Sequence, residues 1–578
     1  MQRRIPGTFD LKWNVRVPMR DGCHLGATVY TPHQQVMPAP AVVMLTPYTV
    51  DRMHDRASYF ASRGLPVVCV DVRGRGNSDE QFRPYIHDAR DGYDIVEWVA
   101  RQSFCNGKVG MYGASYLGYV QWVIAAQLPP HLCTIAPTAA PCMGVDVPNR
   151  NNIFGSYFIR WLSTVTGRNF QEKIFSDNGY WRTVLRRQHE TGTPFRRLDS
   201  NAGLPSDVFQ EWLDHPEQDD YWDSFNPSQE DYRKMQLPVL TVTGVYDGDQ
   251  LGALAHYQRH TQNAPSAART QHYLVIGPWN HAGCTYTSDE VDGVKLGPAA
   301  VVDMLALHLE WYEWTMGAGT RPEFLRDRVA YYVMGADCWC YAPSLESITS
   351  RYRSLYLQSS GNPTDVFRSG LLIEEGPGIG GPDDYEYDPR DCSLAELEST
   401  VDENDLTDQR MVYARGDRSV IYHSLPLAED IEVSGFFKLT AWIGINQPDT
   451  DFRVSVYEIG VDGSSILLTT DTMRARYRGG LREPQLIRTE EPLRYDFERF
   501  TFVSRWMRKA SRLRLVLDSN SSIHEQKNFN SGGIVAQESM SDARPVTVRL
   551  FHSAEYESAL YVPVGRGELP NTAESGEP

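Results

Sequence analysis

GKVGMYGASYLG, residues 107–118, decides how the rest of the chain is read. A short apolar strand carrying Val109 and Met111 runs into Gly113-Ala114-Ser115-Tyr116-Leu117-Gly118, and a helix-like stretch, YVQWVIAAQL, follows at once. A serine flanked by glycines between a buried strand and a helix has the form of a nucleophile elbow. Such a turn holds the serine in a tight backbone geometry, with its hydroxyl clear of the sheet, and Gly113 leaves room for the neighbouring chain. The Tyr116 amide, at the start of the helix, points toward the place where an oxyanion would form. The common elbow is G-x-S-x-G, whereas here Leu117 stands two residues after the serine and glycine returns only at 118. The alternative is an ordinary strand–helix turn that contains a serine.

Outward from the elbow, the first part of the chain alternates between two periods. Apolar runs bounded by Gly or Pro stand at 41–48, 65–74, 108–115, 133–141, 237–248 and 272–281. Runs that are apolar at every position suit strands buried on both faces of a parallel sheet. Helical patterns lie between them at Asp51–Arg63, Ala89–Gln102, Tyr116–Gln127 and Leu251–Arg259. Strands alternating with helices predict a doubly wound α/β sheet with its site at the carboxyl ends of the strands. Together with the elbow this is an α/β-hydrolase domain, in two parts: residues 1–142 and 237–349. Residues 143–236 break the alternation. They are rich in Trp, Tyr, Phe and charge, with helical spacing in Ile153–Val165 and Tyr180–Glu190, and predict a helical cap over the site. From about 350 to 566 the period becomes 2 over seven or more short segments, which predicts a β-sandwich or jelly roll. The tail, 567–578, is polar and rich in Gly and Pro, and is expected to be disordered.

Composition narrows the function classes. At 578 residues the chain needs several cores. A formal net charge of −18 disfavours a nucleic-acid partner, because no excess of cations can neutralise phosphates. No apolar run approaches the ~20 residues that span a bilayer, so no membrane association is expected. The start, MQRRIPGTFDLKWNV, has two arginines but no apolar core of a secretory signal. Nine scattered cysteines read as reduced thiols of a cytoplasmic protein. Cys338-Trp339-Cys340 is a lone C-x-C without a second pair, so neither a metal nor a cofactor is expected. Self-association into a homo-oligomer is left open.

A serine hydroxyl needs a base, and the base an orienting acid, in the chain order Ser, Asp/Glu, His. Each late core strand supplies one at its carboxyl end: Asp247 in VYDGD after the 237–245 run, and His281 in GPWNH after the 272–277 run. His272 begins its strand and lies at the wrong end of the sheet, while His256 and His260 are expected on the surface of the following helix. Asp249 is the alternative to Asp247. A second oxyanion donor should come from the loop after the first core strand, Thr46-Pro47-Tyr48-Thr49, where Tyr48 carries a competent hydroxyl. Trp161 in the cap and Trp279 beside His281 are candidate substrate-binding aromatics.

These residues match a family. The chain resembles the cocaine esterase / X-Pro dipeptidyl-peptidase group of serine hydrolases, which includes the α-amino acid ester hydrolases and cephalosporin acylases. The matching stretches are RDGCHLGATVYTP (20–32), TPY (46–48), DVRGRGNS (71–78), GASYLG (113–118), HPEQDDYW (215–222), VYDGD (245–249), GPWNH (277–281) and VMGADCW (333–339). The resemblance continues into the C-terminal region with PLAEDIEVSGFFKLTAW and QPDTDF. It implies an α/β-hydrolase domain, an inserted helical cap and a C-terminal jelly roll. It also implies Ser115 as nucleophile, His281 as base, Asp247 as orienting acid, and Tyr48 with the Tyr116 amide as oxyanion hole. The substrate is then a small ester or amide, cleaved through an acyl-enzyme. X-Pro dipeptidyl-peptidase and acyltransferase activities are the alternatives, and a non-catalytic binding module would predict a damaged triad. The α-amino ester hydrolases hold a substrate ammonium in a carboxylate cluster, two members of which lie two and three residues after the acid. Here those positions are Asp249 and Gln250, and a third carboxylate would come from Asp146. Esterases of the cocaine type place an aromatic residue near Asp249's position, so the chain fits neither pattern. Asp249 reads either as a substrate-binding group or as a supporting or helix-capping one.

Overall fold

A computed structural model describes residues 7–377, 380–567 and 569. One sheet holds ten strands: β1 (Phe9–Pro18), β2 (His24–Pro32), β3 (Ala39–Thr46), β4 (Val67–Asp71), β5 (Cys105–Ala114), β6 (Leu132–Thr138), β7 (Val239–Tyr246), β8 (His272–Asn280), β9 (Val329–Val333) and β10 (Cys338–Ala342). Their spatial order is β1-β2-β4-β3-β5-β6-β7-β8-β9-β10. From β4 to β9 neighbours run parallel, and every residue of β4 and all but the last of β7 and β8 are buried. This is the sheet that the apolar runs predict. β1, β2 and β10 pair antiparallel at the two ends. β1 has a mostly exposed, polar pattern because it is an edge strand, so no buried run announces it.

The helices that matter for the site are α1 (His54–Ala61), α2 (Asp88–Ala100), α3 (Tyr116–Ala126), α4 (Tyr157–Thr164), α5 (Asn178–Thr191), α6 (Gln250–Asn263) and α7 (Met304–Met316). α4 and α5 belong to the helical segment inserted between β6 and β7. The helix expected from Ile153 begins only at Tyr157, because Ile153 and Phe154 pair with Asn149 and Arg150 in a two-stranded hairpin. Within α6, His256 and His260 are fully buried, not surface residues. They lie against Trp122 of α3, with ring centroids at 5.2 and 5.8 Å, where α6 packs back on the sheet.

Residues 351–564 form a second sheet of thirteen strands, the jelly-roll domain. Its core includes Phe437, Val454, Leu515 and Val548. The strands Gly370–Ile373, Asp383–Tyr387, Ser419–Ser424, Leu493–Phe497 and Phe502–Met507 escaped the sequence reading. All five are short, and none carries a long alternating pattern. Of the tail 567–578, all but 567 and 569 lies outside the described residues. Among the described residues no helix is long and apolar enough to cross a membrane.

Candidate active site

β5 delivers Ser115 at φ 61°, ψ −126°, a conformation that L-residues rarely adopt, and α3 starts at the next residue. Two close approaches explain why the glycines stand where they do. A Cβ on Gly113 would lie 2.3 Å from Leu117 Cβ, so Leu117 packs back over the strand it has just left. A Cβ on Gly118 would lie 2.6 Å from Thr138 O, so glycine is needed where α3 passes β6. The departure from G-x-S-x-G therefore moves the helix–sheet contact by one residue. Tyr116 is anchored through its side chain: the hydroxyl donates to Asp88 Oδ2 at 2.6 Å and accepts from the Tyr85 amide at 2.9 Å. Its own amide belongs to the first turn of α3, where N–H groups have no partner within the helix.

Asp247 follows β7 and is buried, and His281 follows β8. The His281 Nδ1–Asp247 Oδ1 distance is 2.7 Å. Asp247 is held in turn by the Thr243 hydroxyl at 2.8 Å and the Asp249 amide at 3.0 Å. Burial alone would lower the His281 pKa. The carboxylates of Asp249, Asp247 and Asp146 outweigh it and raise the value to about 9. Ser115, His281, Tyr48, Asp146 and Asp249 all line one cavity of about 1170 Å³.

Tyr48 is half-buried at the end of β3. Its hydroxyl accepts from Trp161 Nε1 at 3.2 Å, and it lines the same cavity as Ser115. Thr49, the next residue, has φ 76°, a conformation that costs a β-branched residue about 1–3 kcal/mol. Trp161 lines the cavity, but it is also 8% exposed and stacked on Tyr85 and Tyr116 at 5.9 and 6.1 Å. It is a wall residue and a partner of Tyr48 at once.

Trp279 is placed elsewhere. It is buried away from the cavity, donates Nε1 to Ala300 O at 3.0 Å and packs on Trp339. A Cβ at Gly277 would lie 2.2 Å from its ring, so the indole folds back over its own strand. The expectation that Trp279 binds substrate is therefore corrected.

Asp249 occupies the residue before α6 yet makes no capping bond with its side chain. Its Oδ2 lies 3.7 Å from His281 Nδ1, and burial pushes its pKa up to about 7. Asp146 accepts from the amides of Cys142 at 2.9 Å and Gly252 at 2.5 Å. Burial, followed by the charge of Asp249, raises its pKa far above the usual carboxylate range. The two carboxylates therefore act on each other across the cavity wall. Gln250 does not face the cavity. Its amide bonds Gly244 O, Val245 O and both backbone groups of Phe502, which stitches α6 to the jelly roll. Sequence reasoning missed that the jelly roll supplies cavity wall: Glu403 pairs with His524 at 2.8 Å there. Nothing in the local pattern around 401–404 signals this, because the contact is made between domains. All nine cysteines are free, and among the described residues no cluster of three or more His, Cys, Asp or Glu side chains could hold a metal ion.

A parallel sheet that carries a strained serine between strand and helix, with a His–Asp pair on the following loops, is the frame of an α/β-hydrolase. Residues 21–283 match the X-Pro dipeptidyl-peptidase (S15 family) model, and residues 325–560 match the X-Pro dipeptidyl-peptidase C-terminal non-catalytic domain. The chain belongs to the cocaine esterase / X-Pro dipeptidyl-peptidase family of serine hydrolases. It is 26% identical to the cocaine esterase of Rhodococcus sp. (strain MB1 Bresler), over 97% of this chain and 99% of that one. The structure of an α-amino acid ester hydrolase superposes with a TM-score of 0.80 at 19% identity, covering 96% of this chain and 97% of the other. That of an aminopeptidase from a marine-sediment Thaumarchaeota archaeon gives 0.81 at 20%, covering 98% and 99%. At these identities the two structures speak to the fold alone. The chain is thus a hydrolase of the esterase and peptidase type.

Proposed function

We propose that this protein cleaves a small ester or amide through an acyl-enzyme formed on Ser115. The reading rests on the strained Ser115 facing the same cavity as the His281–Asp247 pair at 2.7 Å. His281 Nδ1–H donates to Asp247, which leaves Nε2 as the base. Ser115 Oγ attacks the carbonyl carbon as Nε2 takes its proton. The carbonyl oxygen becomes an oxyanion between the Tyr48 hydroxyl and the Tyr116 amide. Because Trp161 donates to Tyr48, the phenolic hydrogen is free to turn to the oxyanion. Collapse expels the alcohol or amine, which takes the proton back from His281. Water, activated by the same Nε2, then releases the acid and restores Ser115. Interception by an amine instead of water would make the enzyme an acyltransferase, and release of N-terminal dipeptides would make it an X-Pro-type peptidase.

The substrate reading favours an acyl group with a free α-amine. Asp249 and Asp146 are both largely withdrawn from water on the wall of one cavity, and a desolvated carboxylate pair is costly unless a cation shares it. A substrate ammonium suits that place, and Asp249 also supports His281. Replacement Ser115→Ala tests the nucleophile. It should lower kcat about 10⁶-fold and abolish labelling by an organophosphonate, with the circular dichroism unchanged. Undiminished labelling would show that another serine carries the chemistry.

A further inference from the structure

The DVRGRGNS stretch (71–78) stood out in the sequence, and the mechanism above makes no use of it. It follows β4 directly and holds two buried charges. Arg75 is 0% exposed and Asp71 3%. Burial lowers the Arg75 pKa to about 10 and raises that of Asp71 to about 7. Arg75 has no ion pair within 4 Å, and its Nη2 has no hydrogen-bond partner among the described residues. A guanidinium kept so far from water at such cost calls for a reason.

Its partners supply one. Arg75 Nε donates to Pro47 O at 2.6 Å, the carbonyl immediately before Tyr48. Nη1 donates to Val165 O at 2.6 Å and also to Gly167 O. Val165 caps the carboxyl end of α4, the helix whose Trp161 donates to the Tyr48 hydroxyl. One planar group thus fixes the backbone that carries Tyr48 and the helix that holds its hydroxyl. Asp71 completes the cradle on the other side of Tyr48. Its Oδ1 accepts from the Val50 amide at 2.9 Å, and a Cβ at Gly76, whose φ is +48°, would lie 2.0 Å from its Oδ2. Between Pro47 and Val50 stands Thr49 with φ 76°, so the loop is strained and needs to be held from both ends. The same turn zips onto the cap through Gly76 N to Arg168 O at 2.7 Å and Arg168 to Ser78 O at 2.5 Å.

We propose that Arg75 is the positioning residue of the oxyanion hole, tying the Tyr48 loop to cap helix α4 so that cap docking and oxyanion stabilisation are set together. This inference rests on the reading of Tyr48 as an oxyanion donor. It gives the cap a part in rate as well as in substrate selection, because an α4 displaced from the sheet would carry Trp161 away from Tyr48.

Lysine keeps the charge and most of the length but cannot bridge two carbonyls from one rigid fork. Arg75→Lys should therefore lower kcat about 10- to 100-fold with KM within about threefold, as expected for an interaction made only in the transition state. Measured again in a Tyr48→Phe background, the same change should cost less than about threefold, because the group it positions is gone. Equal losses in both backgrounds, or a raised KM with kcat unchanged, would overturn the proposal. A generally loosened fold would not produce the collapse of the effect in the double variant. Should Arg75→Lys fail to fold by circular dichroism and gel filtration, Trp161→Phe probes the other end of the tie. It should lower kcat about three- to tenfold alone and less than about twofold with Tyr48→Phe, and additive losses would again overturn the idea. If Tyr48→Phe by itself leaves kcat within about fivefold of the parent, the oxyanion reading fails first and takes this inference with it.

Discussion

Helix α6 carries two clusters of buried titratable groups, and they behave in opposite ways. At its amino end Asp249 lies with Asp247, Asp146 and His281. Along its body His256 and His260 meet His272. The histidine cluster is sealed from water, whereas His281 and Asp249 are partly exposed, and each cluster holds groups with displaced pKa values. In the histidine cluster every ring is engaged with protein. His256 bonds Tyr232 at 2.7 Å and Pro141 O at 3.1 Å, and His272 bonds Thr241 at 2.9 Å and His260 at 3.0 Å. Burial pushes His256 to about 3 and His260 to about 4, so both are neutral at pH 7. The carboxylate cluster instead opens on a cavity and holds three carboxylates for one imidazole. A displaced pKa therefore does not mark a site. Burial combined with mutually acting charges beside a cavity does.

The largest expected effect separates these clusters. His281→Ala should lower kcat/KM by about 10⁴- to 10⁶-fold with little change in Tm. His260→Leu should do the reverse. Activity per folded molecule stays within about twofold, while stability falls by about 1–3 kcal/mol as His272 loses its partner. Activity losses that track Tm in both variants would erase the distinction drawn here.

Tyr48→Phe comes next. It removes one hydroxyl and little volume, and should lower kcat about 10²- to 10³-fold with KM little changed. A fall of less than fivefold would make Tyr48 part of the wall like Trp161.

What the sequence disclosed follows the same division. Ser115, Asp247 and His281 were legible because each stands at the end of an apolar run, and a parallel sheet brings such ends to one edge. Tyr48 was legible for the same reason. Trp279 misled because it stands two residues before His281, whereas the register shift after Gly277 lays the indole back over its own strand. His256 and His260 misled because a polar residue on a helix is usually solvated, and Trp122, the indole that packs on both, is more than 100 residues away in sequence. Trp161 was found as a cap aromatic, but its bond to Tyr48 joins residues 113 apart in sequence. Arg75 and Glu403 act through contacts of the same long range, which no local period records. The jelly roll was clear as a class, while several of its short strands were not.

Asp249→Asn should have a smaller, selective effect. For substrates with a free α-amine kcat/KM should drop about 10- to 100-fold, the factor corresponding to one charge-assisted hydrogen bond. Simple acetyl esters should be nearly untouched. The same variant tests the electrostatics of His281. Asp249 is the foremost of the carboxylates that hold its pKa near 9, and the imidazole is a base only when deprotonated. The parent's kcat/KM should therefore rise with pH well above 6.5, and the rising limb should move to lower pH in Asp249→Asn. An unmoved limb, with both substrate classes equally impaired, would reduce Asp249 to a support of the loop.

The smallest effect is in acid stability, where the two kinds of buried group oppose each other. The folded pKa values of His256 and His260 lie below the ordinary 6.5, so their contribution is complete above 6.5. It is lost as pH falls toward about 4 and 3, because the unfolded chain binds the protons. Asp71, Asp88 and Asp249 have folded values raised to about 7 by burial, above their ordinary 3.8. For these the folded state binds the protons, so stability increases as pH falls from about 7 toward 4. Each group contributes a slope of up to about 1.4 kcal/mol per pH unit, with opposite signs. Between pH 6.5 and 5 the two sets pull against each other, and the parent's slope is their difference. Asp249→Asn removes one group that takes up protons on folding, so its stability should fall more steeply on acidification, by about 1 kcal/mol per pH unit. His260→Leu removes one that gives them up, and should tilt the curve the other way. Urea unfolding at half-unit steps of pH reads both slopes. Parallel curves for the parent and both variants would mean that neither cluster changes its protonation on unfolding.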